Sequence, residues 1–294
     1  MHREPSSKLH MKRKTFLISH LTVLSEKKEN CEAPENIIVV RSTRISVLNS
    51  SYKILSSILC ERLKPYLKDV IGDYQCGFRP GKSTTDQIFT LRQILEKTRE
   101  YQIDTHHLFI DFRQAYDSVK RDELYFAMNH LGIPTKLIKL CRMTLTETRR
   151  AVRVARNASN PFEVKKGFRQ GDALSCDLFN ICLEMIIRKA EIRTNHSSIL
   201  SKSTQLLGYA DDIDIISRTQ EDLTSSFINI REAAEAMGLV VNVEKTKYMK
   251  PGANIPSNNI VIGGLEFESV QDFIYLGARS TQTTTSRRKS NEGL

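Results

Sequence analysis

The stretch Leu207-Gly208-Tyr209-Ala210-Asp211-Asp212-Ile213-Asp214-Ile215-Ile216 places an apolar run on each side of a Tyr-Ala-Asp-Asp centre. Apolar β-forming residues around a short polar pair predict a tight hairpin with Asp211 and Asp212 at its tip. Adjacent carboxylates repel each other and lose hydration there, so a cation would stabilise the pair. Oxygen ligands of this kind suit Mg²⁺ or Mn²⁺ better than zinc. The alternative is a solvated turn, because Asp is common in turns.

A third carboxylate, Asp111, follows the apolar run His107-Leu108-Phe109-Ile110. Two strands whose ends present three acids would hold two metal ions about 3.5–4 Å apart, the arrangement used for in-line phosphoryl transfer. One metal would lower the pKa of an attacking hydroxyl while the other stabilises the leaving pyrophosphate. Asp117, six residues further on, is predicted to cap the next helix rather than to bind metal.

The bulk composition indicates a folded, basic protein. The chain has 294 residues, 40% of them hydrophobic, and a formal net charge of +10. This length suits one large domain or two closely packed subdomains, with a sizeable core. The positive charge indicates a polyanionic partner, and it favours nucleic acid over a membrane surface. The alternative is a basic soluble protein without such a partner.

The cysteines and the apolar runs of the sequence indicate in which part of the cell the protein is located. The six cysteines contain no Cys-x-x-Cys pair, so we expect isolated buried thiols rather than a zinc site. Such usage suits a reducing compartment. No apolar run approaches the length of a membrane span. We therefore expect no membrane partner and a location in the nucleus or the cytoplasm.

The segment around residues 77–83 is partly similar to a phosphate-binding P-loop. Gly77 and Gly81 have three residues between them, whereas the P-loop needs four and a preceding strand, so an ATPase is excluded. Ser83 and Asp86 instead predict a capping box for a helix. An earlier helix, capped by Asn49, is predicted to run to about residue 63 and to end at Pro65.

A basic hairpin is predicted next, with residues 149–156 going out and residues 162–168 returning. Phosphate contacts on such a face would be sequence-independent and salt-sensitive. The candidate nucleic-acid-binding residues are Arg149, Arg153, Lys165, Lys166 and Arg169. Further helices are predicted over residues 173–192 and 220–237, and strands over residues 239–243, 265–268 and 273–276.

Several motifs, taken in order, resemble those of reverse transcriptases. The similarity is greatest to the enzymes of non-LTR retrotransposons, and more distant to those of group II introns. It runs from about Arg44 to Ala278. The motifs are Phe109-Ile-Asp111-Phe-Arg-Gln-Ala-Tyr116-Asp117, Arg169-Gln170-Gly171-Asp172, Tyr209-Ala210-Asp211-Asp212, Gly238-Leu-Val-Val-Asn242-Val-Glu-Lys245-Thr246-Lys247 and Tyr275-Leu276-Gly277, with Gln75-Cys76-Gly77-Phe78-Arg79 upstream.

The resemblance implies a catalytic centre. Asp111, Asp211 and Asp212 would be the catalytic metal ligands, with the backbone carbonyl of Phe112 as a further ligand. Lys245 would protonate the departing pyrophosphate; a plain surface lysine is an equally open alternative.

The resemblance also implies a nucleotide site. Tyr116 would close the space beside the sugar 2′ position and so reject ribonucleotides, a role compatible with core packing. Gln170 would touch the incoming nucleotide, and Gly171 lets the backbone approach it closely. Arg79 would touch the template or the triphosphate.

The predicted fold class is α+β, the fingers and palm of a right-hand polymerase. The palm would be an antiparallel sheet of split β-α-β-β-α-β type backed by helices. Residues 41–278 would form fingers and palm, while residues 1–40 stay unassigned as a divergent or disordered segment. Residues 279–294 are predicted to be a disordered tail, with no thumb.

The first functional hypothesis is an RNA-directed DNA polymerase that uses Mg²⁺ or Mn²⁺, an RNA template, a DNA primer or target, and dNTPs. The second is a non-catalytic nucleic-acid-binding remnant that keeps the palm by descent. A group II-type maturase, chiefly an RNA-folding helper, is a weaker third possibility.

Overall fold

The computed structural model describes residues 38–40, 46–146, 148–154, 157–192, 204–251 and 259–281, all within residues 37–294 as one unit of the chain. The helices in these ranges are α1 (Ser50–Val70), α2 (Thr84–Glu100), α3 (Ala115–Ser118), α4 (Arg121–His130), α5 (Thr135–Leu145), α6 (Ala173–Lys189) and α7 (Gln220–Met237). The strands are β1 (Ile38–Val40), β2 (Ser46–Val47), β3 (His106–Ile110), β4 (Arg149–Val154), β5 (Asn157–Ala158), β6 (Phe162–Glu163), β7 (Thr204–Tyr209), β8 (Asp212–Ser217), β9 (Lys247–Met249), β10 (Ile260–Ile262), β11 (Leu265–Ser269), β12 (Asp272–Tyr275) and β13 (Ala278–Thr281).

A six-stranded sheet, in the order β10-β11-β9-β3-β8-β7, carries the predicted acidic residues. Strand β3 is antiparallel to β8 on one side and to β9 on the other. Helix α6 precedes the β7–β8 hairpin, and α7 connects β8 to β9. The order β3, α6, β7, β8, α7, β9 is the split β-α-β-β-α-β pattern, so the predicted α+β fold class is confirmed.

Helices α6 and α7 cover one face of this sheet and form the main core with it. Helix α6 is apolar around most of its circumference, as expected of a helix buried on several sides. Helix α1 also packs against it. Along β3, Leu108 and Ile110 enter this core, and Phe109 enters a smaller cluster with Leu91 of α2 and Tyr275 of β12. The alternation of a strand therefore places Asp111 on the same side as Phe109.

Helix α1 is longer than predicted. Asn49 caps it as expected, since its side chain accepts from the Ser51 N–H at 2.9 Å. The predicted end at Pro65 is wrong, because the helix continues to Val70 with Pro65 inside it. Proline removes one helical hydrogen bond, but Leu67 beyond it is buried in the main core. Burial of the helical turn that follows Pro65 outweighs the tendency of proline to end a helix.

Two predictions beside the sheet are also wrong. Residues 239–243 form no strand: Val241 makes an isolated bridge with Phe112, and the ladder strand is β9. Asp117 does not cap the next helix, because it lies inside α3, and Lys120 occupies the N-cap of α4 without a side-chain cap bond. The capping box of Ser83 and Asp86 is confirmed.

A second sheet has the order β2-β1-β4-β5, with β6 also paired to β4. The antiparallel pairing of β4 with β5 and β6 confirms the predicted hairpin, with a return strand shorter than expected. Strand β1 pairs in parallel with β4. Residues 38–40, which the sequence left unassigned, are therefore ordered by pairing with a strand more than a hundred residues away.

The predicted disordered tail is wrong for residues 279–281, which belong to β13 and pair with β12. Backbone pairing with a neighbouring strand orders a segment that has no apolar period of its own. Residues 1–37 and 282–294 lie outside the described ranges. Within those ranges, every helix falls short of the length and apolarity that crossing a membrane requires.

Candidate active site

A two-residue turn carries the acidic pair. Tyr209 ends β7 opposite Asp212, the first residue of β8, so Ala210 and Asp211 form the turn and the predicted hairpin is confirmed. Ala210 has a φ of 56°, and a positive φ at the first turn position is typical of type II′ hairpins. This conformation costs a residue other than glycine roughly 1–2 kcal/mol. Contacts from the surrounding structure must therefore hold the turn.

The third acid reaches the same end of the sheet through the β3–β8 ladder. Ile110 lies opposite Ile213, so the next position in this antiparallel register brings Asp111 beside Asp212. The Asp111 backbone N–H donates to Thr246 Oγ1 at 3.2 Å, and its carbonyl oxygen accepts from the Asn242 N–H at 2.8 Å. The Asn242 side chain donates to Asp111 Oδ2 at 3.0 Å. The acid is thus fixed through its backbone and its side chain.

Asp211 and Asp212 lie in an environment that disfavours their charged forms. Burial, then the charges of Asp211 and Asp111, raise the pKa of Asp212 to about 6. Burial also raises the pKa of Asp211, with a further contribution from Asp111, while Lys245 opposes both shifts. Three carboxylates at one sheet end therefore carry an excess of negative charge that a cation would neutralise.

The donor chemistry at this sheet end fits a hard divalent cation. In the described ranges, no group of three or more His, Cys, Asp or Glu side chains is already gathered as a metal cluster. Carboxylates are nevertheless the ligands that Mg²⁺ prefers, and Mg²⁺ is commonly bound by only one or two of them together with substrate phosphates. The residues present therefore fit such an ion without requiring a preformed protein cage.

An open cavity of about 330 Å³ lies beside the acids. Asp111, Asp212 and Lys245 line it together with the aromatic side chains Phe273 and Tyr275 of β12. Lys245 thus shares a cavity with two of the acids, as its predicted role requires. Its proposed function in proton transfer remains a prediction.

The geometry can be compared with known proteins. Residues 27–279 match the family described as reverse transcriptase (RNA-dependent DNA polymerase). This chain belongs to the reverse transcriptase family. The predicted resemblance is thereby confirmed, and the acids at the sheet end lie within the matched residues.

Relatives of this chain include proteins of transposable elements. The "Transposon TX1 uncharacterized 149 kDa protein" of Xenopus laevis is 24% identical over 213 residues, which are 71% of this chain and 16% of that protein. The "Probable RNA-directed DNA polymerase from transposon BS" of Drosophila melanogaster is 25% identical over 240 residues, 77% of this chain and 25% of that protein. The Pol polyprotein of the type-1 retrotransposable element R2 of Popillia japonica is 24% identical over 188 residues, 60% and 31% of the two chains. The chain thus spans less than a third of each of these curated relatives.

Solved structures agree with the fold of this chain. Apo telomerase from Candida tropicalis, truncated from its C-terminal domain, matches with a TM-score of 0.53 and 18% identity, over 78% of this chain and 45% of that chain. Telomerase of the same organism in complex with a fragment of telomeric RNA matches with a TM-score of 0.52 and 18% identity, over 80% and 38%. At this level of identity the likeness shows the right-hand polymerase fold.

The residues predicted to form the nucleotide site lie in different surroundings. Tyr116 is half-buried and stacks on Phe179 of α6, with 4.7 Å between ring centroids, so its packing role is real. Gln170 and Gly171 are exposed just before α6, and Gly171 has a φ of 97°. Arg79 instead donates to the Gly72 and Gln75 carbonyls, at 2.8 and 3.2 Å. In this structure its guanidinium holds a loop, and contact with nucleotide stays a prediction.

The structure describes the side chains of three of the five residues predicted to contact nucleic acid. Lys165 and Lys166 are exposed on the segment after β6, as a phosphate contact requires. Arg149 and Arg153 lie on β4, and their side chains are outside the described part of the structure. Arg169 is only 7% exposed, and its guanidinium lies 4.5 Å from the centroid of the Tyr52 ring, so its contact with nucleic acid stays a prediction. Its cation is used inside the protein.

Sequence reasoning gave no role to three residues that touch the acidic centre: Gln75, Asn242 and Thr246. Gln75 bonds to the backbone of Ala210, while Asn242 and Thr246 bond to Asp111. Gln75 and Asn242 stand inside the motifs that carry the family resemblance, which was the available signal. Nothing local indicates their targets, since each bond spans more than 130 residues of sequence.

Proposed function

We propose that this reverse transcriptase domain catalyses RNA-directed DNA synthesis. A primer 3′-hydroxyl attacks the α-phosphate of a dNTP, the new phosphodiester bond forms, the bond to the β-phosphate breaks, and pyrophosphate leaves. The observation that carries the proposal is the meeting of Asp111 with the Asp211–Asp212 turn at one end of the sheet. Membership of the family supports it.

The acids would hold Mg²⁺, or Mn²⁺ in its place. Asp111, Asp211 and Asp212 supply carboxylate oxygens, and the Phe112 carbonyl is a further candidate ligand. Bound cations of this kind activate the attacking hydroxyl and neutralise charge on the leaving group. The raised pKa of Asp212 supports this assignment, because a site that lacks compensating positive charge favours a cation.

The chain's own residues would position and screen the reactants. Asn242 and Thr246 orient Asp111 by three hydrogen bonds. Tyr116, braced by its stacking on Phe179, would limit the space beside the sugar 2′ position. Lys245 would donate a proton to the departing pyrophosphate. Its place in the cavity with Asp111 and Asp212 supports this role.

The proposed partners are an RNA template and a DNA primer. The formal net charge of +10 favours binding to a polyanion. Exposed Lys165 and Lys166 are the described candidates for phosphate contact. Loss of both lysines should weaken binding to all sequences alike and reduce its salt dependence, because such contacts release counterions without reading bases.

The test is dNTP incorporation on a primed RNA template with Mg²⁺. The wild type is compared with Asp211→Asn/Asp212→Asn, which keeps the size of both side chains and removes their charge. Asp104→Asn is the matched control. Asp104 precedes the opposite end of β3 from Asp111 and pairs with Lys250 at the surface.

Extension in the wild type and in Asp104→Asn, but not in the double variant, is the expected result. Absence of extension by the wild type would overturn the polymerase proposal for this chain. If salt-sensitive RNA binding were then equal in the wild type and the double variant, the non-catalytic binding remnant would be the better description.

A further inference from the structure

A loop between α1 and α2, residues 74–77, crosses the acidic hairpin and pairs with its backbone. The Cys76 N–H donates to the Gly208 carbonyl at 2.8 Å, and the Gly208 N–H donates to the Tyr74 carbonyl at 2.9 Å. Gln75 and Gly208 thereby form a short parallel bridge. The loop and the hairpin are joined as if by one rung of a sheet, immediately before the catalytic turn.

The side chain of Gln75 extends this connection onto the turn itself. Its Oε1 accepts from the Ala210 N–H at 2.8 Å, and its Nε2 donates to the Ala210 carbonyl at 3.1 Å. The same Oε1 accepts from the Gly77 N–H at 2.7 Å. Gln75 is only 1% exposed, so water does not compete for these bonds. Both polar backbone groups of the left-handed turn residue are thus bound by one amide.

Close backbone contact completes the clamp. A Cβ at Gly77 would lie 2.2 Å from the Ala210 nitrogen, so the loop touches the turn where only glycine fits. The loop is itself anchored from α6, because Asn180 Nδ2 donates to the Gly77 carbonyl at 3.0 Å and Glu184 accepts from the Tyr74 hydroxyl at 2.9 Å. An anchored clamp can fix the turn more firmly than a mobile loop could.

We infer that Gln75 is a positioning residue for the catalytic turn: its amide holds Ala210 in the left-handed conformation that presents Asp211 and Asp212 beside Asp111. The inference rests on the proposed polymerase function. Removal of the amide would leave the turn to relax away from φ 56°, because nothing else described binds both backbone groups of Ala210. The acids would then be displaced without loss of any ligand atom.

The test uses Gln75→Met, which keeps length and apolar volume but has no amide, and Gln87→Met as the matched control. Gln87 is also buried, and its Nε2 donates to the Tyr74 and Gly208 carbonyls, at 3.4 and 3.3 Å, without contacting the turn. Three quantities are measured for each: kcat and KM for dNTP on a primed RNA template, the melting temperature, and hydrogen exchange of the Ala210 amide. If Gln75→Met fails to fold, Gln75→Glu replaces it with kcat as the readout, because a carboxylate keeps the bond accepted from the Ala210 N–H but cannot donate to the Ala210 carbonyl. A kcat equal to that of the wild type in Gln75→Glu would then overturn the inference.

We expect Gln75→Met to lower kcat about 100-fold, the scale of a small misplacement of reacting groups. KM should change less than about twofold, and the Ala210 amide should lose its protection from exchange. Gln87→Met should keep the wild-type kcat and the Ala210 protection, even if its melting temperature falls. Unchanged protection in Gln75→Met, or an equal fall of kcat in both variants, would overturn the inference.

If the wild type incorporates no dNTP, the result overturns the proposed polymerase function rather than the inference about Gln75. The exchange measurement still decides whether Gln75 clamps the turn in that case, since it needs no activity. The two failures are therefore distinguishable.

Discussion

Asn242 binds Asp111 twice, through its backbone N–H to the Asp111 carbonyl at 2.8 Å and through its side-chain Nδ2 to Oδ2 at 3.0 Å. The two residues are 131 positions apart in the chain. The contact places a neutral amide against one carboxylate oxygen, in a site where burial and the charge of Asp111 raise the pKa of both Asp211 and Asp212. Because the Asn242 amide is neutral, it orients the Asp111 carboxylate without neutralising its negative charge.

Asn242→Ala should therefore reduce polymerase activity about 10- to 100-fold, the usual effect of losing a group that orients a metal ligand. The Mg²⁺ concentration for half-maximal activity should rise at the same time. The control is Asn229→Ala, whose side chain donates to the Ala190 carbonyl at 3.4 Å, away from the acids. Equal activities of the two variants, measured as kcat over a range of Mg²⁺ concentrations, would argue against the orienting role.

Tyr116→Ala should admit ribonucleotides. Removal of the ring that stacks on Phe179 opens space beside the proposed sugar position, so discrimination between dNTP and NTP should fall on the order of 100-fold. Tyr116→Phe keeps the ring and should keep the discrimination. The measurement is the ratio of kcat/KM for the two nucleotides. A ratio that stays at the wild-type value in Tyr116→Ala would leave Tyr116 with core packing alone.

Gly77→Ala should destabilise the fold severely, by about 3 kcal/mol or more, because its Cβ would meet the Ala210 backbone nitrogen at 2.2 Å. The neighbouring atom belongs to the backbone and cannot rotate away. Gly81→Ala is the control: it has open space but a φ of 76°, so only about 1–2 kcal/mol of conformational strain is expected. Chemical denaturation of both variants measures the difference. Similar losses would mean that the loop can shift away from the turn.

Asp177 should make the fold less stable as pH rises. Burial raises its pKa from 3.8 to about 6, although hydrogen bonding to Cys60 and the charge of Lys64 oppose the shift. Because the folded-state pKa lies above the unfolded value, the stabilising contribution is complete below about pH 4 and is lost as pH rises through 6. Asp177→Asn should remove this loss and gain about 2–3 kcal/mol relative to the wild type at pH 7.

The measurement is the free energy of unfolding between pH 4 and pH 8, compared among the wild type, Asp177→Asn and the exposed control Asp122→Asn. The difference between the wild type and Asp177→Asn should grow between pH 4 and pH 6. A constant difference over that range would show that Asp177 titrates normally in the folded protein.

The sequence by itself determined the elements whose causes are local. The Tyr-Ala-Asp-Asp turn between two apolar runs, the capping box of Ser83 and Asp86, and the helix over residues 220–237 were predicted because neighbouring residues carry the whole signal. The order of strands and helices followed from these elements, and the split β-α-β-β-α-β sheet followed from the order. The ordered motifs also determined the family.

Tertiary structure alone decided the rest. Pro65 stays inside α1 because Leu67 reaches the core, and the guanidinium of Arg169 packs on the ring of Tyr52, which is more than a hundred positions away in the chain. Gln75 reaches Ala210 across 135 positions. Local propensities are worth a few tenths of a kcal/mol to about one kcal/mol for most residues and about 3 kcal/mol for proline inside a helix. Burial of one large apolar side chain contributes roughly 1.5–3 kcal/mol, and both Leu67 and Ile71 are buried after Pro65. Wherever distant partners meet in the fold, the larger non-local term decides.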